Sequence, residues 1–215
     1  MRAAKPAGPR PRAAARTPAA GGVPPAQVAP RPEPRVLSSR QRQVVELGLR
    51  LLATEGPAVL TMRRLAAELD LQAPSLYKHV ASKAELELFM VERGLVELGA
   101  ASHAAVSDGA GALGPVASLL GTYRRFALEN PELYRLATGR SFPRAELTPG
   151  LEDWAGEPFW RAVGDAQVAQ ALWAFAHGMA ILEIDGRLLP ADLDATWAAG
   201  AVAFSPAPAG SPRPC

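Results

Sequence analysis

Apolar residues recur every three or four positions in the patterned segments between about Ser38 and Phe204, and no segment alternates apolar with polar residues. Such spacing places apolar side chains on one face of an α-helix, whereas strands alternate. Alanine is abundant, aromatic residues make up only 6% of the chain, and alanine has the lowest free-energy cost in a helix. The sequence therefore predicts an all-α protein of about nine helices.

Capping and breaking residues set the helix boundaries. Ser38 with Gln41, and Ser82 with Glu85, have capping-box spacing. Helices are predicted near residues 39–54, 61–69, 73–79, 82–99, 115–129, 131–138, 151–163, 165–185 and 191–204. The small residues of 100–114 predict a loop or a frayed helix end between two units.

The chain ends differ in composition from its middle. Residues 1–37 are rich in Pro, Ala and Arg, and residues 205–215 are similar. Such segments bury too little apolar surface to offset the entropy of ordering, so we expect both to be disordered. Residues 38–84 then form a first helical unit, and residues 85–204 form a second, larger one.

Charge is unevenly distributed. Residues 1–42 carry a net charge of +8, residues 43–83 carry +1, and residues 84–215 carry −7. This asymmetry predicts a polyanion partner at the N-terminal end. The arginine-rich tail either adds weak, salt-sensitive attraction to DNA, which we favour, or only improves solubility.

Several functional classes are disfavoured. The one cysteine, Cys215, permits no disulfide within the chain and no Cys-based metal site. No apolar signal segment is evident, and polar residues interrupt the apolar run 168–184, so we expect a cytoplasmic protein without a membrane span. No nucleophile–base pair, phosphate loop or pair of acids at metal spacing is apparent. We therefore expect no enzyme activity, no cofactor and no metal.

Three short helices, the second and third joined by a tight turn at Asp70-Leu71, predict a helix-turn-helix. Leu65, Leu69 and Leu76 would pack the helices together. The polar side of the third helix would face DNA, where Gln72 can read adenine. Side chains that could contact phosphates lie on either side of the third helix. Arg63 and Arg64 could equally be ordinary exposed charges. The predicted DNA-binding residues are Thr61, Arg63, Gln72, Ala73, Pro74, Ser75, Tyr77, Lys78, His79 and Lys83.

Residues 42–88 resemble the DNA-binding domain of the TetR family of bacterial transcriptional regulators. The most specific stretch is LQAPSLYKHVASKAEL, residues 71–86, with Leu-Tyr-basic-His followed by Ser-Lys-x-x-Leu. The resemblance implies that Tyr77, His79 and Lys83 touch phosphates and that residues 72–75 approach bases. His79 serves either this contact or the turn before Ser82. Asp70 stands where the family usually has Gly, and Asp tolerates the left-handed conformation better than most residues.

The second unit also resembles a family module. Trp173, His177 and Gly178 form a W-x-x-x-H-G signature, preceded by FALENPELY at residues 126–134. The resemblance implies a C-terminal effector and dimerisation domain, in which the last two helices form a four-helix interface with their mates and the others enclose a ligand cavity. Five aromatic residues and a histidine are the candidates for lining this cavity. They could equally be ordinary residues of the hydrophobic core. These candidates are Tyr123, Phe126, Trp154, Trp160, Trp173 and His177.

His177 invites a metal-binding interpretation, but residue 181, one turn further on, is Ile, so we favour a structural role. The combined hypothesis is a ligand-responsive repressor that binds a palindromic DNA operator as a homodimer and is released by a small-molecule effector. The alternative is an all-α dimeric adaptor that keeps the helix-turn-helix without sequence-specific DNA binding. The net charge of only +1 over residues 43–83 keeps that alternative open.

Overall fold

The structure is a computed structural model that describes residues 30–108, 114–139, 142–188 and 192–205. Within these ranges the chain forms nine α-helices, two short 3₁₀ helices and no strand. The prediction of an all-α protein is thus confirmed for the described residues. Most of the two predicted tails, residues 1–29 and 206–215, lies outside them. The helices are α1 (Ser39–Glu55), α2 (Met62–Glu68), α3 (Ala73–Tyr77), α4 (Lys83–Asp108), α5 (Gly114–Glu129), α6 (Pro131–Thr138), α7 (Leu151–Val163), α8 (Ala166–Ile184) and α9 (Leu193–Phe204).

The first three helices pack around a small apolar centre. The side chains of Leu65, Leu76 and Val80 are fully buried there, and α1 contributes Val44 and Val45 from its inner face. The capping box predicted for α1 is present, with reciprocal bonds between Ser38 and Gln41. Burial of Leu76 in this centre positions the short helix α3, which has no side-chain cap at its start and is too short to be stable alone.

The turn between α2 and α3 is a Schellman motif. The N–H of Leu71 donates to the Ala66 carbonyl at 2.8 Å, and the N–H of Asp70 donates to the Ala67 carbonyl at 3.2 Å. These bonds satisfy carbonyls that the helix end would otherwise leave free. Asp70 has a φ of 52° and is the non-glycine residue with positive φ among those described. The left-handed conformation expected at Asp70 is therefore present.

Replacing Asp70 with glycine is expected to raise the free energy of unfolding by about 0.5–1 kcal/mol, because glycine adopts positive φ without the steric penalty of a Cβ. Thermal unfolding would show this as a rise in Tm of about 1–4 °C. Asp70→Ala should lower Tm, since aspartate tolerates the left-handed conformation better than alanine does. Equal Tm values for the wild type and the Asp70→Ala protein would contradict the left-handed turn.

Helix α4 is much longer than predicted. It continues without interruption to Asp108, so the loop predicted from residue 100 is wrong over its first nine residues. Alanine favours helix there, and the helix is held by packing, since Ser102 is buried and the His103 ring stacks on Trp154 with centroids 4.9 Å apart. The remaining part of the predicted loop, residues 109–113, lies outside the described residues.

The other predicted helices lie within two residues of their expected bounds. Helices α5, α7, α8 and α9 enclose a second apolar core around Leu119, Leu172 and Trp197. No helix of the described chain is long and apolar enough to cross a membrane. The first core is not confined to the first unit, because it also takes in Leu133, Phe142 and Leu147 from the C-terminal part of the chain.

A side chain of α4 replaces the backbone hydrogen bond that a proline removes from α7. Pro158 has no N–H, so the carbonyl of Trp154, four residues earlier, lacks its intrahelical donor. The Nε2 atom of His103 lies 3.0 Å from that carbonyl oxygen. Since a carbonyl oxygen can only accept a hydrogen bond, Nε2 carries the proton, and Nδ1 faces Arg161 Nη1 at 3.4 Å as an acceptor.

A polar cluster joins α5, α8 and α9. The Arg124 guanidinium meets the Glu183 carboxylate through both Nε and Nη2, at 2.7 Å for the shortest contact. The indole N–H of Trp197 donates to the same carboxylate at 2.9 Å. The Glu183 side chain is only 10% exposed, so these partners offset much of the free-energy cost of burying its carboxylate.

Candidate DNA interface and effector site

The outward side of α3 is polar and accessible. Gln72, Pro74, Lys78 and His79 are exposed, and the Tyr77 side chain is 49% exposed although aromatic. The predicted base-facing residues Ala73 and Ser75 are partly exposed. Gln72 is the N-cap of α3 but makes no side-chain cap bond, so its amide remains available to an outside partner.

The start of α2 adds a second set of donors. Thr61 is the N-cap, and its Oγ1 accepts the N–H of Arg64 at 3.2 Å, which leaves the hydroxyl hydrogen free to donate. Arg64 contacts Glu68 at 2.9 Å and Glu55 at 3.4 Å. Arg63 is exposed and takes part in none of the ion pairs found among the described residues. Of the two arginines, Arg63 therefore has the more available guanidinium.

The start of α4 adds a third group of residues to the predicted DNA-binding surface. Ser82 Oγ accepts the N–H of Glu85 at 3.1 Å, while the Glu85 carboxylate receives the N–H of Ala81 at 2.5 Å. The reciprocal bond thus reaches one residue beyond the predicted capping box. Lys83 is exposed in the first helical turn, 3.6 Å from Glu87. Its ammonium and the free N–H groups of the helix start favour an anion.

The backbone around His79 is fixed from α1. Gln41 Nε2 donates to the His79 carbonyl at 3.0 Å, so the Gln of the α1 capping box also holds the end of the α3 region. The imidazole is exposed and takes part in none of the hydrogen bonds described for residues 30–108. The side chain is therefore free to face DNA.

The aromatic candidates for the effector site fall into separate places. Tyr123, Trp173 and His177 come together, because Trp173 stacks on His177 with centroids 5.7 Å apart, and Tyr123 joins them through Tyr134. Phe126 packs against the first core, and Trp160 against the edge of the second. Trp154 lies on the other side of α7, against α4.

A hydrogen-bonded chain connects the first group. Tyr123 Oη lies 2.8 Å from Tyr134 Oη, which lies 2.7 Å from His177 Nδ1. Tyr134 is buried and was not among the predicted site residues. It is 43 positions away from His177, so no local spacing could have linked the two. Its place in the FALENPELY stretch was the one available signal.

Burial keeps this chain uncharged. It raises the pKa of Tyr123 to about 12 and raises the pKa of Tyr134 further, with the neighbouring Tyr123 adding to the effect. Burial also lowers the pKa of His177, helped by the positive charge of Arg144. At neutral pH the phenols are therefore protonated and the imidazole is neutral. If Tyr134 donates to Nδ1, the Nε2–H of His177 is left for another partner.

The lowered pKa of His177 makes stability depend on pH. The unfolded chain binds a proton near pH 6.5, whereas the folded chain resists it, so this contribution is present above about pH 6.5 and is lost as the pH falls through the folded pKa. We expect the drop in Tm between about pH 7.5 and pH 5.5 to be smaller in His177→Gln. His79→Gln, at an exposed position, is the matched control and should follow the wild type. Equal drops in all three proteins would contradict this assignment.

The structure also contains a cleft between α1, α4 and α6. Its volume is about 200 Å³, and none of the predicted aromatic residues lines it. Its walls come from Leu52, Gly94 and Leu133, with Arg93 and Glu97 at the side. No group of three or more His, Cys, Asp and Glu residues in the described ranges is arranged to hold a metal ion.

An all-helical chain whose helix-turn-helix presents polar and basic side chains outward is typical of DNA-binding transcriptional regulators. Two family models match it: "Bacterial regulatory proteins, tetR family" over residues 44–88, and "Tetracyclin repressor-like, C-terminal domain" over residues 116–204. The chain belongs to the TetR family. The role of this family is regulatory and not enzymatic.

One curated protein and two solved structures resemble this chain in sequence or in fold. The uncharacterized HTH-type transcriptional regulator Rv0681 of Mycobacterium tuberculosis is 29% identical over 195 residues, which cover 84% of this chain and 86% of that protein. A protein from Rhodococcus sp. RHA1 is 25% identical with a TM-score of 0.69, covering 80% and 96%. The multidrug binding protein EbrR, complexed with imidazole, shares the fold at 23% identity and a TM-score of 0.59, covering 80% and 98%.

Proposed function

We propose that this TetR-family regulator is a homodimeric repressor that binds a palindromic operator in the cytoplasm and is released by a small-molecule effector. The observation that carries the proposal is the joint surface of α3 and its neighbours. Exposed Gln72, Tyr77 and Lys78 lie on a helix fixed from behind by Leu76 and Val80. Such a helix can enter the major groove while Thr61 and Lys83 contact phosphates on either side.

The outer faces of α8 and α9 support dimerisation. Small residues are exposed along α8 at Ala171 and Ala174, and a side chain at Gly178 would meet nothing within 4 Å. On α9, Ala198 is exposed and Val202 is 78% exposed. Both helices are apolar on two faces, and one face is already used by the second core. A second copy would bury the other face as a four-helix interface.

The chain from Tyr123 to His177 supports an effector site in the C-terminal unit. Its groups are neutral, and Trp173, 46% exposed, offers a flat apolar face beside the imidazole. These features suit an uncharged planar compound that stacks on the indole and accepts a hydrogen bond from His177 Nε2. Phe126, Trp154 and Trp160 remain proposed contacts only for a ligand that extends beyond this group.

The decisive experiment selects DNA from a random pool with the full-length protein and then measures binding by fluorescence anisotropy. We expect a palindrome with half-sites about one helical turn apart. Tyr77→Phe and Lys83→Ala should each weaken binding about 30-fold, since the homodimer loses one phosphate contact of about 1 kcal/mol in each of its two half-sites. Lys83→Ala should also reduce the slope of log K against log salt by about two, because one phosphate contact is lost from each half-site.

Arg187→Ala is the matched control for the loss of a cation, because Arg187 is exposed in the turn after α8. It should bind like the wild type. No enriched sequence, together with equal affinity of all variants at low salt, would overturn the repressor proposal and support the adaptor alternative.

A further inference from the structure

Helix α3 cannot define its own position in the first unit. It has five residues and no side-chain cap bond at its start, and so short a helix is not stable alone. We call residues 71–80, which contain α3, the recognition segment. Leu76 and Val80 of this segment are fully buried in the first core. Apolar burial holds the segment in place, but it is non-directional and does not by itself fix how α3 is turned.

Directional contacts hold the two ends of the recognition segment. At its start, the Leu71 N–H donates to the Ala66 carbonyl at 2.8 Å. At its far end, Gln41 Nε2 on α1 donates to the His79 carbonyl at 3.0 Å. Among the described residues, this is the one side-chain hydrogen bond that reaches the recognition segment from another helix. Gln41 therefore fixes the end of α3 that the turn after α2 leaves free.

The Gln41 amide is held in the orientation that this contact needs. Its Oε1 accepts the N–H of Ser38 at 2.9 Å, and the Gln41 N–H donates to Ser38 Oγ at 3.2 Å. A backbone N–H only donates and a carbonyl only accepts, so the amide oxygen must face Ser38 and the amide nitrogen must face His79. The capping box thus presents the NH₂ group of Gln41 to the recognition segment.

A turned α3 would affect bases and phosphates differently. Gln72 and Ser75, which are predicted to face bases, must reach base edges within about 2.7–3.2 Å. Lys78 carries its charge on a flexible four-carbon stem and can follow a phosphate when the helix shifts. Loss of the Gln41 contact should therefore reduce sequence discrimination more than it reduces general attraction to DNA.

We propose that Gln41 is a positioning residue for sequence recognition: from α1, through the His79 carbonyl, it sets the angle at which α3 meets the bases. This inference rests on the proposed operator binding and extends it to a residue outside the predicted DNA surface. The quantity that tests it is the specificity ratio, defined as the Kd for a non-specific duplex divided by the Kd for the selected operator in the same buffer.

Gln41→Glu separates the two roles of this side chain. A glutamate there can still accept the Ser38 N–H, as in the common form of the capping box. It cannot donate to the His79 carbonyl, and two facing acceptors repel each other. We expect the specificity ratio of the homodimer to fall about ten-fold, because base contacts weaken in both half-sites while phosphate contacts persist.

Two control variants isolate the contact with His79. Gln43→Glu places the same charge on α1, where Gln43 accepts from Arg40 at 3.0 Å and a glutamate would still accept. Its specificity ratio should equal that of the wild type, since an added charge weakens binding to both duplexes alike. Ser38→Ala weakens the cap of α1 but leaves the Gln41 side chain able to donate to His79. It should lower Tm without lowering the ratio, and an equal fall in Ser38→Ala and Gln41→Glu would overturn the positioning role.

Gln41→Lys restores the donor by other means. It should keep the ratio within about two-fold of the wild type, because an ammonium donates to the His79 carbonyl although it cannot accept the Ser38 N–H. Equal ratios in Gln41→Lys and Gln41→Glu would overturn the inference. Circular dichroism verifies folding. If Gln41→Glu does not fold, Gln41→Met replaces it: this variant loses the cap acceptor as Gln41→Lys does, but it also lacks the donor, so only its ratio should fall.

Failure of this inference can be told from failure of the proposed function. A wild-type ratio near one, with no operator selected, would overturn both. A wild-type ratio well above one that is unchanged in Gln41→Glu would overturn the positioning role alone. Repeating the DNA selection with Gln41→Glu gives a second readout: the spacing of the half-sites should stay the same while base preference within each half-site relaxes. An unchanged base preference would likewise overturn the positioning role.

Discussion

Replacing Gly99 with alanine is expected to lower the free energy of unfolding by about 2–3 kcal/mol. A Cβ at this position would lie 2.4 Å from Cζ3 of Trp154 and 3.0 Å from Cε3 and Cη2 of the same ring. An indole cannot yield as a flexible side chain does, so α4 and α7 must move apart, and overpacking of this kind costs about 1–3 kcal/mol, occasionally more. The loss should exceed the gain of up to ~1 kcal/mol that alanine brings to a helix.

Gly156→Ala is the matched control, since Gly156 lies in α7 and an added Cβ there meets nothing within 4 Å. It should leave stability unchanged or raise it by up to about 1 kcal/mol. Denaturant unfolding measures both variants. In a Trp154→Leu background the cost of Gly99→Ala should shrink, because the two residues act through one contact. A Gly99→Ala protein as stable as the Gly156→Ala protein would contradict the close approach of these helices.

Replacing Arg124 with leucine should lower the free energy of unfolding by about 3 kcal/mol, because it leaves the nearly buried Glu183 carboxylate without its cation. The indole N–H of Trp197 would remain as a partner, but a single neutral donor offsets little of the cost of a buried charge. The Arg124 guanidinium also lies 5.7 Å from the Trp197 ring, so α9 should lose order together with the ion pair.

The adjacent Arg125 provides the control, since it is exposed and belongs to none of the ion pairs found in the described ranges. Arg125→Leu should change Tm by no more than about 1–2 °C. Replacing both members, Arg124→Leu with Glu183→Leu, should recover much of the loss, because an apolar pair avoids the desolvation of two charges. If Arg124→Leu and Arg125→Leu unfold alike, the cluster does not stabilise the junction of α5, α8 and α9.

The local features of the fold could be predicted from the sequence. Thr61 and Ser82 cap their helices as their spacing indicated, and Asp70 adopts the left-handed conformation that its place in the turn required. Such features depend on residues within one helical turn of each other, so sequence order contains the information. The outward placement of Tyr77 and Lys78 follows from the same periodicity.

The features that were missed depend on distant partners. Residues 100–108 are alanine-rich, which favours helix, but the packing of α7 that holds them, as where His103 stacks on Trp154, could not be read from their composition. Tyr134 reaches His177 across 43 positions, and Arg124 reaches Glu183 across 59. Trp154 was a candidate for lining a ligand cavity, yet its ring packs against Gly99. Because glycine has no side chain, the apolar pattern of the sequence gave no sign of this contact.

The extent of the first apolar core determines how DNA-binding domains can be exchanged between members of the family. A graft joined after residue 84 would separate Leu76 and Val80 from Leu86 and Met90, which belong to the same core. It would also place a foreign head against Leu133 of the recipient. A chimera should therefore transfer the DNA-binding helices together with the first turns of α4 and the side of α6 that packs on this core. Such a chimera should unfold in one cooperative transition.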